Sequence, residues 1–364
     1  MVRVGIVGTS WWSDAMYLPA LAAHPLAEVV SVAGRNVERA HKFAERWHIP
    51  HVYTDWRELI AAGGIDCLIV ASSNDTHYPI TMAALDAGLH VLCEKPLALT
   101  GPEARAMANK AREVGVKTMT PFTYRYMPTT RYVKQLIDDG YIGRPYHLNM
   151  RYYTGYGRDT DYMWRFDSEV AGAGVIGDLG SHWLYLARWF FGEITGVTCY
   201  SDALIKRDAR PDGSDYTQTE DTAVMTVKFE NGAYGVLQVT TLAWEGTSFG
   251  QTHHQEFHGS EGTLYSFIDW NHTQEVRGLQ AGQEGGARIL AVPDEIWGNV
   301  RRESVHDTYR DIFRNEDNMT REFITAIAED KPVEGPTFED GARIQELIDA
   351  ALKSAANNNC FVET

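Results

Sequence analysis

Near its start the chain reads Val2-Arg3-Val4-Gly5-Ile6-Val7-Gly8-Thr9-Ser10-Trp11-Trp12-Ser13. The first six residues have the β-branched pattern of a short strand, and an amphipathic stretch over residues 15–23 follows. A glycine-rich phosphate turn belongs at such a junction of strand and helix. Gly8 supplies the tight turn, whereas Ser10 and Ser13 stand at the second and third glycine positions. The stretch therefore predicts a dinucleotide-binding unit with an imperfect turn.

Short strand patterns continue to about residue 120 and alternate with segments of helical periodicity. The strands are expected over 29–33, 67–71, 89–93 and 117–120, and the helices over 37–47, 81–87 and 102–114. This alternation is typical of a parallel sheet covered by helices. We therefore predict an α/β protein with an N-terminal Rossmann dinucleotide-binding domain over residues 1–122.

The pattern changes from residue 145 to longer alternating strands. Strands are expected over 146–153, 222–229, 233–242 and 255–258, and helices over 321–328 and 339–353. Alternation of this kind predicts a largely antiparallel sheet. The predicted second domain is thus a C-terminal α+β domain, residues 123–364, with a large mainly antiparallel sheet.

Composition excludes several classes of partner. A formal net charge of −16 argues against nucleic acid, since phosphate binding needs clustered Lys and Arg. No apolar run approaches the roughly 20 residues that cross a bilayer. Four widely spaced cysteines fit reduced thiols, and the first residues lead into a strand rather than an export signal. We expect a cytoplasmic protein without membrane or nucleic-acid partners.

Lys95 follows the fifth predicted strand in the run Cys93-Glu94-Lys95-Pro96. Ligands of open parallel sheets bind outside the carboxyl ends of the strands, so a cation there points at substrate or cofactor. Pro96 disfavours helix at Lys95 and holds it extended. The alternative is an ion pair with Glu94 on a solvated loop.

The second strand ends in Gly34-Arg35-Asn36, where NAD-binding proteins carry an acid for the ribose 2′-hydroxyl. The planar fork of arginine suits a 2′-phosphate. The sequence therefore favours NADP over NAD. The alternative is a solvent-facing arginine at the start of a helix.

Asp178 and His182 are spaced i, i+4 and would share one face of a helix. Oxidation of an alcohol by hydride transfer requires loss of the hydroxyl proton, and histidine is suited to accept it near neutral pH. His182 is the predicted general base, and Asp178 orients the imidazole or binds a neighbouring hydroxyl. Lys95 is predicted to donate to the reacting oxygen.

Other motifs carry a family resemblance over nearly the whole chain. The chain resembles the glucose-fructose oxidoreductase/inositol dehydrogenase (Gfo/Idh/MocA) family of NAD(P)-dependent oxidoreductases. Tyr185 departs from the family, which often has an aspartate there, and Ala173 replaces a middle glycine. The motifs are Leu18-Pro19-Ala20-Leu21, residues 71–77, residues 93–97, residues 122–126, residues 142–145, Trp164-Arg165, Gly172-Ala173-Gly174 and residues 178–182.

The resemblance implies that lysine, aspartate and histidine surround nicotinamide and substrate, and that copies associate as homodimers or homotetramers through the second domain's sheet. Aromatic and hydrogen-bonding groups near the motifs are of the kind that line sugar sites, although a single ring is more often packing than a ligand contact. The predicted cofactor-binding residues are Gly8, Thr9, Ser10, Trp12, Ser13, Gly34, Arg35, Asn36, Ser72, Asn74, His77, Glu94, Lys95 and Arg125. The predicted substrate-binding residues are Lys95, Tyr126, Tyr153, Arg165, Asp178 and His182.

His254, Glu256 and His258 would share one face of a strand and could bind a metal. Hydride transfer to nicotinamide needs no metal, so none is predicted.

The expected function is hydride transfer between nicotinamide and a hydroxyl or carbonyl carbon of a sugar, cyclitol or related polyol. One alternative is a glycosidase of the same fold, which holds NAD tightly and uses a transient oxidation. The other is a non-catalytic NAD(P)-binding regulator, which would not need Lys95, Asp178 and His182 together.

Overall fold

The computed structural model describes residues 1–244 and 250–364, which form two compact units. One unit comprises Met1–Phe122 and Arg310–Gln345, and the other comprises Thr123–Tyr309 and Glu346–Thr364. The division after Phe122 coincides with the predicted boundary. Residues 310–345 had been placed in the second domain, but they group with the first. The periodicity of a helix shows that it has an apolar face, not which sheet that face covers.

Two hydrogen bonds to residues 118–120 show why residues 310–345 belong to the first unit. Thr120 N donates to Pro336 O at 2.8 Å, and Phe338 N donates to Thr118 Oγ1 at 3.3 Å. In chain order the strands are β1 (Val2–Val7), β2 (Ala27–Ala33), β3 (His51–Tyr53), β4 (Cys67–Val70), β5 (His90–Cys93), β6 (Thr118–Met119), β7 (Pro145–Thr154), β8 (Ile194–Asp202), β9 (Thr222–Phe229), β10 (Tyr234–Thr240), β11 (Gln251–Gly259), β12 (Gly262–Asp269), β13 (Thr273–Gln280), β14 (Arg288–Leu290) and β15 (Val362–Glu363).

The helices begin and end largely where capping residues and glycines allow. Asn36, Asp55 and Thr100 each accept a hydrogen bond from a backbone N–H in the first turn of their helix. In chain order the α-helices are α1 (Leu18–Ala22), α2 (Val37–Trp47), α3 (Trp56–Ala62), α4 (His77–Asp86), α5 (Gly101–Val114), α6 (Pro128–Asp138), α7 (Ser168–Ala171), α8 (Ser181–Phe191), α9 (Asp294–Trp297), α10 (Val305–Arg314), α11 (Thr320–Ala328) and α12 (Phe338–Ala356). Two π-helical segments, Ser13–Tyr17 and Ile176–Gly180, precede α1 and α8.

The first unit contains a parallel sheet with the strand order β3-β2-β1-β4-β5-β6. This order is that of the dinucleotide-binding fold, with the switch point between β1 and β4. The prediction of a parallel α/β domain is confirmed. The short edge strand β3 was not anticipated, because three partly exposed residues leave no clear periodicity.

The second unit contains a sheet with the order β14-β13-β12-β11-β7-β10-β9-β8-β15. Its neighbours pair antiparallel apart from β7 and β10, which run parallel. Burial alternates along β7 and β9, so one face of the sheet is covered and the other is more open. The predicted large, mainly antiparallel sheet is confirmed.

Within residues 1–244 and 250–364, no helix combines the length and the apolar character needed to span a bilayer.

Candidate active site

Gly8 follows β1 at the switch point of the parallel sheet. Its φ is +116°, and a Cβ placed there would lie 2.2 Å from Ala71 O, the carbonyl that follows β4. Only glycine allows the backbones of these two strand ends to approach so closely. Ser13, in the third glycine position, is fully buried at the start of a π-helical segment. The imperfect turn thus keeps its essential glycine.

The end of β2 packs against this turn. Gly34 lies close to Thr9, since an added Cβ would stand 2.9 Å from Thr9 Cγ2. Asn36 caps α2 by accepting from Arg39 N at 2.9 Å, and Arg39 Nε donates to Thr9 Oγ1 at 3.2 Å. Arg39 was not predicted from sequence, although its place one turn into α2 could have indicated it.

Arg35 lines a cavity of about 270 Å³ at the carboxyl ends of β1, β2 and β4. Ser72, also predicted, lies on its wall together with Asp55 and Arg57. Asp55 accepts from Arg57 N at 2.9 Å and from Arg57 Nη1 at 3.3 Å. This is the place where the fold leads one to expect the adenosine end of a dinucleotide.

His77 differs from its predicted role. The ring is fully buried, with Nδ1 at 2.9 Å from Pro96 O and Nε2 at 3.3 Å from Ser72 O. Burial lowers the pKa of His77. The neutral ring donates its one N–H to one of these two carbonyls and lies against the other, so we reassign His77 from cofactor contact to positioning of two loops. Asn74, which was also predicted to contact the cofactor, is 8% exposed.

Glu94 and Lys95 follow β5 as predicted. Tyr17 Oη donates a hydrogen bond to Glu94 Oε1, and Lys95 N donates to Glu94 Oε2 at 3.1 Å. Burial raises the pKa of Glu94, although Tyr17 opposes this effect. Glu94 is therefore held by neighbours of the phosphate turn, and Lys95 is half-buried at the strand end, before a cis peptide bond to Pro96.

In the second unit, Asp178 and His182 occupy consecutive helical segments. Asp178 lies in the π-helical segment Ile176–Gly180, and His182 is the second residue of α8. The His182 ring is 5% exposed and lies 4.5 Å, centre to centre, from the Tyr124 ring. The predicted helical placement of the pair is observed.

Asp178 collects two of the predicted polar neighbours. Tyr156 Oη donates to Asp178 Oδ2 at 2.5 Å, and Arg165 Nε lies 3.4 Å from the same oxygen. Burial and the Asp178 charge raise the pKa of Tyr156 well above its ordinary value, so the phenol stays protonated and donates. Arg165 was predicted to contact substrate, whereas Tyr156 was not among the predicted substrate-binding residues.

Arg125 donates from Nη1 to Tyr185 Oη at 2.6 Å, and its guanidinium lies 5.0 Å from the Trp189 ring centre. Tyr185 thus takes the hydrogen bond that the family's frequent aspartate could accept as an ion pair. Tyr126, predicted to bind substrate, is 6% exposed, with its ring centre 5.5 Å from Arg125. The Tyr126 ring therefore packs against the Arg125 guanidinium.

Tyr153 was predicted to bind substrate and lies on the wrong face of the sheet for that role. Its hydroxyl donates to Gln238 Oε1 at 2.7 Å on the more open face. Tyr152 instead packs toward the His182 side, with its hydroxyl 2.5 Å from Tyr124 Oη. Successive side chains of a strand point to opposite faces, so Tyr152 and Tyr153 lie on different sides of the sheet.

Tyr156 and Tyr153 give a matched pair of variants. Tyr156→Phe removes the donor to Asp178, and we expect kcat/KM to fall about tenfold, since a hydrogen bond to a charged group contributes ~1.5–3 kcal/mol. Tyr153→Phe removes a hydroxyl of the same kind from the open face of the sheet and should leave kcat/KM unchanged. Steady-state kinetics of both variants would contradict the geometry if Tyr153→Phe had the larger effect.

His254, Glu256 and His258 do lie on one face of β11, as expected for alternate residues of a strand. No group of three or more metal-binding side chains in suitable positions occurs within residues 1–244 and 250–364. His258 Nε2 and Glu256 Oε2 are 4.0 Å apart.

The residues of the first unit fit a nicotinamide dinucleotide. Gly8 allows close approach of a diphosphate to the turn, and the cavity beside Arg35 and Ser72 lies at the carboxyl ends of the strands. Lys95 lies at the end of β5, on the same edge of the sheet as Gly8.

Comparisons with known proteins agree with this description. Residues 2–122 match the model of the oxidoreductase family with an NAD-binding Rossmann fold, and residues 130–265 match the GFO/IDH/MocA C-terminal domain. Levoglucosan dehydrogenase of Pseudarthrobacter phenanthrenivorans is 28% identical over 98% of this chain and 97% of its own length. 1,5-Anhydro-D-fructose reductase of Ensifer adhaerens is 31% identical over 72% of this chain and 75% of its own length.

Among solved structures, levoglucosan dehydrogenase in complex with NADH and levoglucosan superposes with a TM-score of 0.86. The two chains are 28% identical, and the match covers 100% of this chain and 99% of the other.

Fold and site together define a dinucleotide-binding oxidoreductase. The chain belongs to the Gfo/Idh/MocA family, as its motifs indicated. It is an NAD(P)-dependent dehydrogenase or reductase that acts on CH–OH groups.

Proposed function

We propose that the protein transfers a hydride between a nicotinamide cofactor and the hydroxyl or carbonyl carbon of a sugar, cyclitol or related polyol. The observation that carries this proposal is the cluster of Asp178, Tyr156 and Arg165 one turn before His182. Such convergent hydrogen-bonding groups suit a ligand with several hydroxyls. The named activities of the relatives, on levoglucosan and 1,5-anhydro-D-fructose, support the same substrate class.

In the oxidative direction, His182 accepts the proton of the substrate hydroxyl as the C–H bond breaks. Asp178 orients the substrate or the imidazolium, and Tyr156 and Arg165 hold its carboxylate in place. Lys95 donates to the same substrate oxygen and stabilises the developing negative charge. A nicotinamide dinucleotide held at the Gly8 turn and beside Arg35 would supply the hydride acceptor, and the carbinol would become a carbonyl. The reverse direction returns both hydrogens to the carbonyl.

We propose that the cofactor is NADP in preference to NAD, because Arg35 is exposed beside the cavity and Arg39 reaches the adjoining turn. Guanidinium groups at the end of β2 suit a 2′-phosphate.

Arg35→Ala should weaken NADP⁺ binding about tenfold or more, since hydrogen bonds to charged groups contribute ~1.5–3 kcal/mol. NAD⁺ affinity should change less than about twofold. Fluorescence or calorimetric titration measures both. Arg112→Ala is the control, because Arg112 pairs with Glu339 elsewhere on the unit. Much tighter binding of NAD⁺ than NADP⁺ by the unaltered protein would overturn the preference.

The open face of the second sheet supports the proposal of a homodimer or homotetramer. His147 stacks between His258 at 4.5 Å and Tyr234 at 5.3 Å, and Tyr234 is 54% exposed. An aromatic surface of this kind is typical of an interface. Sedimentation velocity should give at least a dimer, and a monomer at micromolar concentration would contradict the proposal.

We also propose a cytoplasmic location. The four cysteines are free thiols, and Cys67, Cys93 and Cys199 are buried, which fits a reducing compartment. Fractionation of the source cells with the native protein would test it, and recovery outside the cytoplasm would contradict it.

The direct test of function is a panel of aldoses, cyclitols and ketosugars, assayed with NADP⁺, NAD⁺ and their reduced forms at the absorbance band of reduced nicotinamide. At least one polyol should change the band at a rate proportional to enzyme. Absence of any polyol-dependent change with all four cofactors would contradict the proposed function.

A further inference from the structure

The buried carboxylate of Glu220 contacts the first residue of the helical segment that contains Asp178. Glu220 precedes β9 and is 8% exposed. Glu220 Oε1 accepts a hydrogen bond from Ile176 N at 3.0 Å. Ile176 is the first residue of the π-helical segment that contains Asp178.

The backbone of Glu220 holds the same stretch a second time. Val175 N donates to Glu220 O at 2.9 Å, and a Cβ on Gly174 would lie 2.1 Å from that oxygen. Gly174 O in turn accepts from Asp178 N at 2.9 Å. The glycine of the Gly172-Ala173-Gly174 motif is thus explained by close packing of Glu220 against the residues that lead to Asp178.

We propose that Glu220 is a positioning residue: as a carboxylate it fixes the Gly174–Ile176 backbone, and through it the orientation of Asp178 and His182. The inference rests on the proposed roles of Asp178 and His182. Hydrogen bonds from backbone N–H groups to an ionised carboxylate are about twice as strong as those to a neutral group. Protonation of Glu220 therefore loosens the start of the segment.

Burial raises the pKa of Glu220 to about 7, against opposing hydrogen bonds from Ile176 and Gly174. The charge of Asp221 raises the pKa of Glu220 further. The charge of Glu220 in turn raises the pKa of the buried Cys199 thiol on β8. The Arg207 guanidinium lies 3.9 Å from Asp221 Oδ2 and so pairs with the neighbouring carboxylate. The helical segment itself brings Asp178 and His182. Glu220 thus changes charge near neutral pH.

Glu220→Gln keeps the shape of the side chain and abolishes its charge. The quantity to measure is the ratio of wild-type to variant kcat between about pH 6 and about pH 9, because pH effects that the two proteins share cancel in this ratio. We expect a ratio near one at the acid end, which rises to about tenfold with a midpoint near pH 7. A role limited to packing gives a ratio that does not depend on pH and overturns the proposal.

Asp221→Asn is the matched control, since Asp221 accepts from Leu204 N and Ile205 N rather than from the segment of Asp178. Loss of the Asp221 charge lowers the pKa of Glu220, so the wild-type-to-variant kcat ratio should not rise with pH, and any departure from one should be a ratio below one near pH 7 that disappears toward pH 9. A curve like that of Glu220→Gln would overturn the assignment to Glu220.

Thermal unfolding separates this proposal from the proposed function. Because the folded-state pKa of Glu220 is raised from 4.5 to about 7, its stabilising contribution is full below pH 4.5 and is lost as pH rises through about 7. The Tm of wild type minus that of Glu220→Gln should therefore fall with rising pH, while the kcat ratio rises. A falling Tm difference with a flat kcat ratio overturns the positioning role and leaves the proposed function intact. Inactivity of every variant and the wild type on all polyols counts against the proposed function instead.

Discussion

Replacement of His182 by alanine is expected to lower kcat about 10²–10⁴-fold, the usual contribution of a positioned general base. The ring lies on α8 beside Tyr124 and is 5% exposed. KM should change far less than kcat, because the proton is transferred only as the reaction proceeds.

The control for this variant is His272→Ala in the turn between β12 and β13, where the side chain is exposed. It removes the same type of side chain and should leave kcat within about twofold, within the usual effect of surface substitutions. Both variants are to be compared with the wild type by steady-state kinetics, after thermal unfolding has shown that each is folded at the assay temperature. Turnover of His182→Ala near the wild-type value would rule out the assigned base.

Gly8→Ala is expected to weaken dinucleotide binding about 10- to 100-fold. The residue has a φ of +116°, and its new Cβ would lie 2.2 Å from Ala71 O, so the ends of β1 and β4 must separate. Backbone strain of this kind costs ~1–3 kcal/mol, and it falls on the turn that meets the diphosphate. Isothermal titration with NADP⁺ and NAD⁺ measures the loss.

Gly88→Ala separates backbone strain from the clash. Gly88 has a φ of +73°, but no heavy atom lies within 4 Å of a Cβ built there. This control should lower the unfolding temperature slightly and leave cofactor affinity unchanged. If Gly8→Ala, folded by circular dichroism, binds cofactor as tightly as Gly88→Ala, the turn does not carry the diphosphate.

The elements of the fold were predictable because their periodicities differ. The strand Val2–Val7, the helix Val37–Trp47 and the strand Thr222–Phe229 occur with the predicted bounds. The edge strand β3 and the association of residues 310–345 with the first unit were not predictable in this way. The first is too short to show a period, and the second depends on tertiary packing.

The candidate site was predictable where chemistry and spacing coincide. Asp178 and His182 fall on consecutive helical turns as their spacing required, and Arg165 reaches Asp178. Sequence reasoning selected Tyr153 instead of Tyr152 because two adjacent tyrosines give no sign of which one faces the core.

Two further residues show the same limit. His77 looked like a ligand contact, and only its two carbonyl partners show that it is structural. Glu220 was not predicted because the partner of its side chain, the backbone N–H of Ile176, lies more than forty residues away in the chain.

The central claim is that a hydride passes directly from a polyol carbon to nicotinamide. The polyol identified by the panel, carrying deuterium at the carbon that is oxidised, is to be turned over with the preferred oxidised cofactor, and the reduced cofactor examined by proton NMR. The account predicts that the deuterium is found in the dihydronicotinamide ring, at a rate that falls with His182→Ala. Reduced cofactor without deuterium, or deuterium released into water, would contradict it.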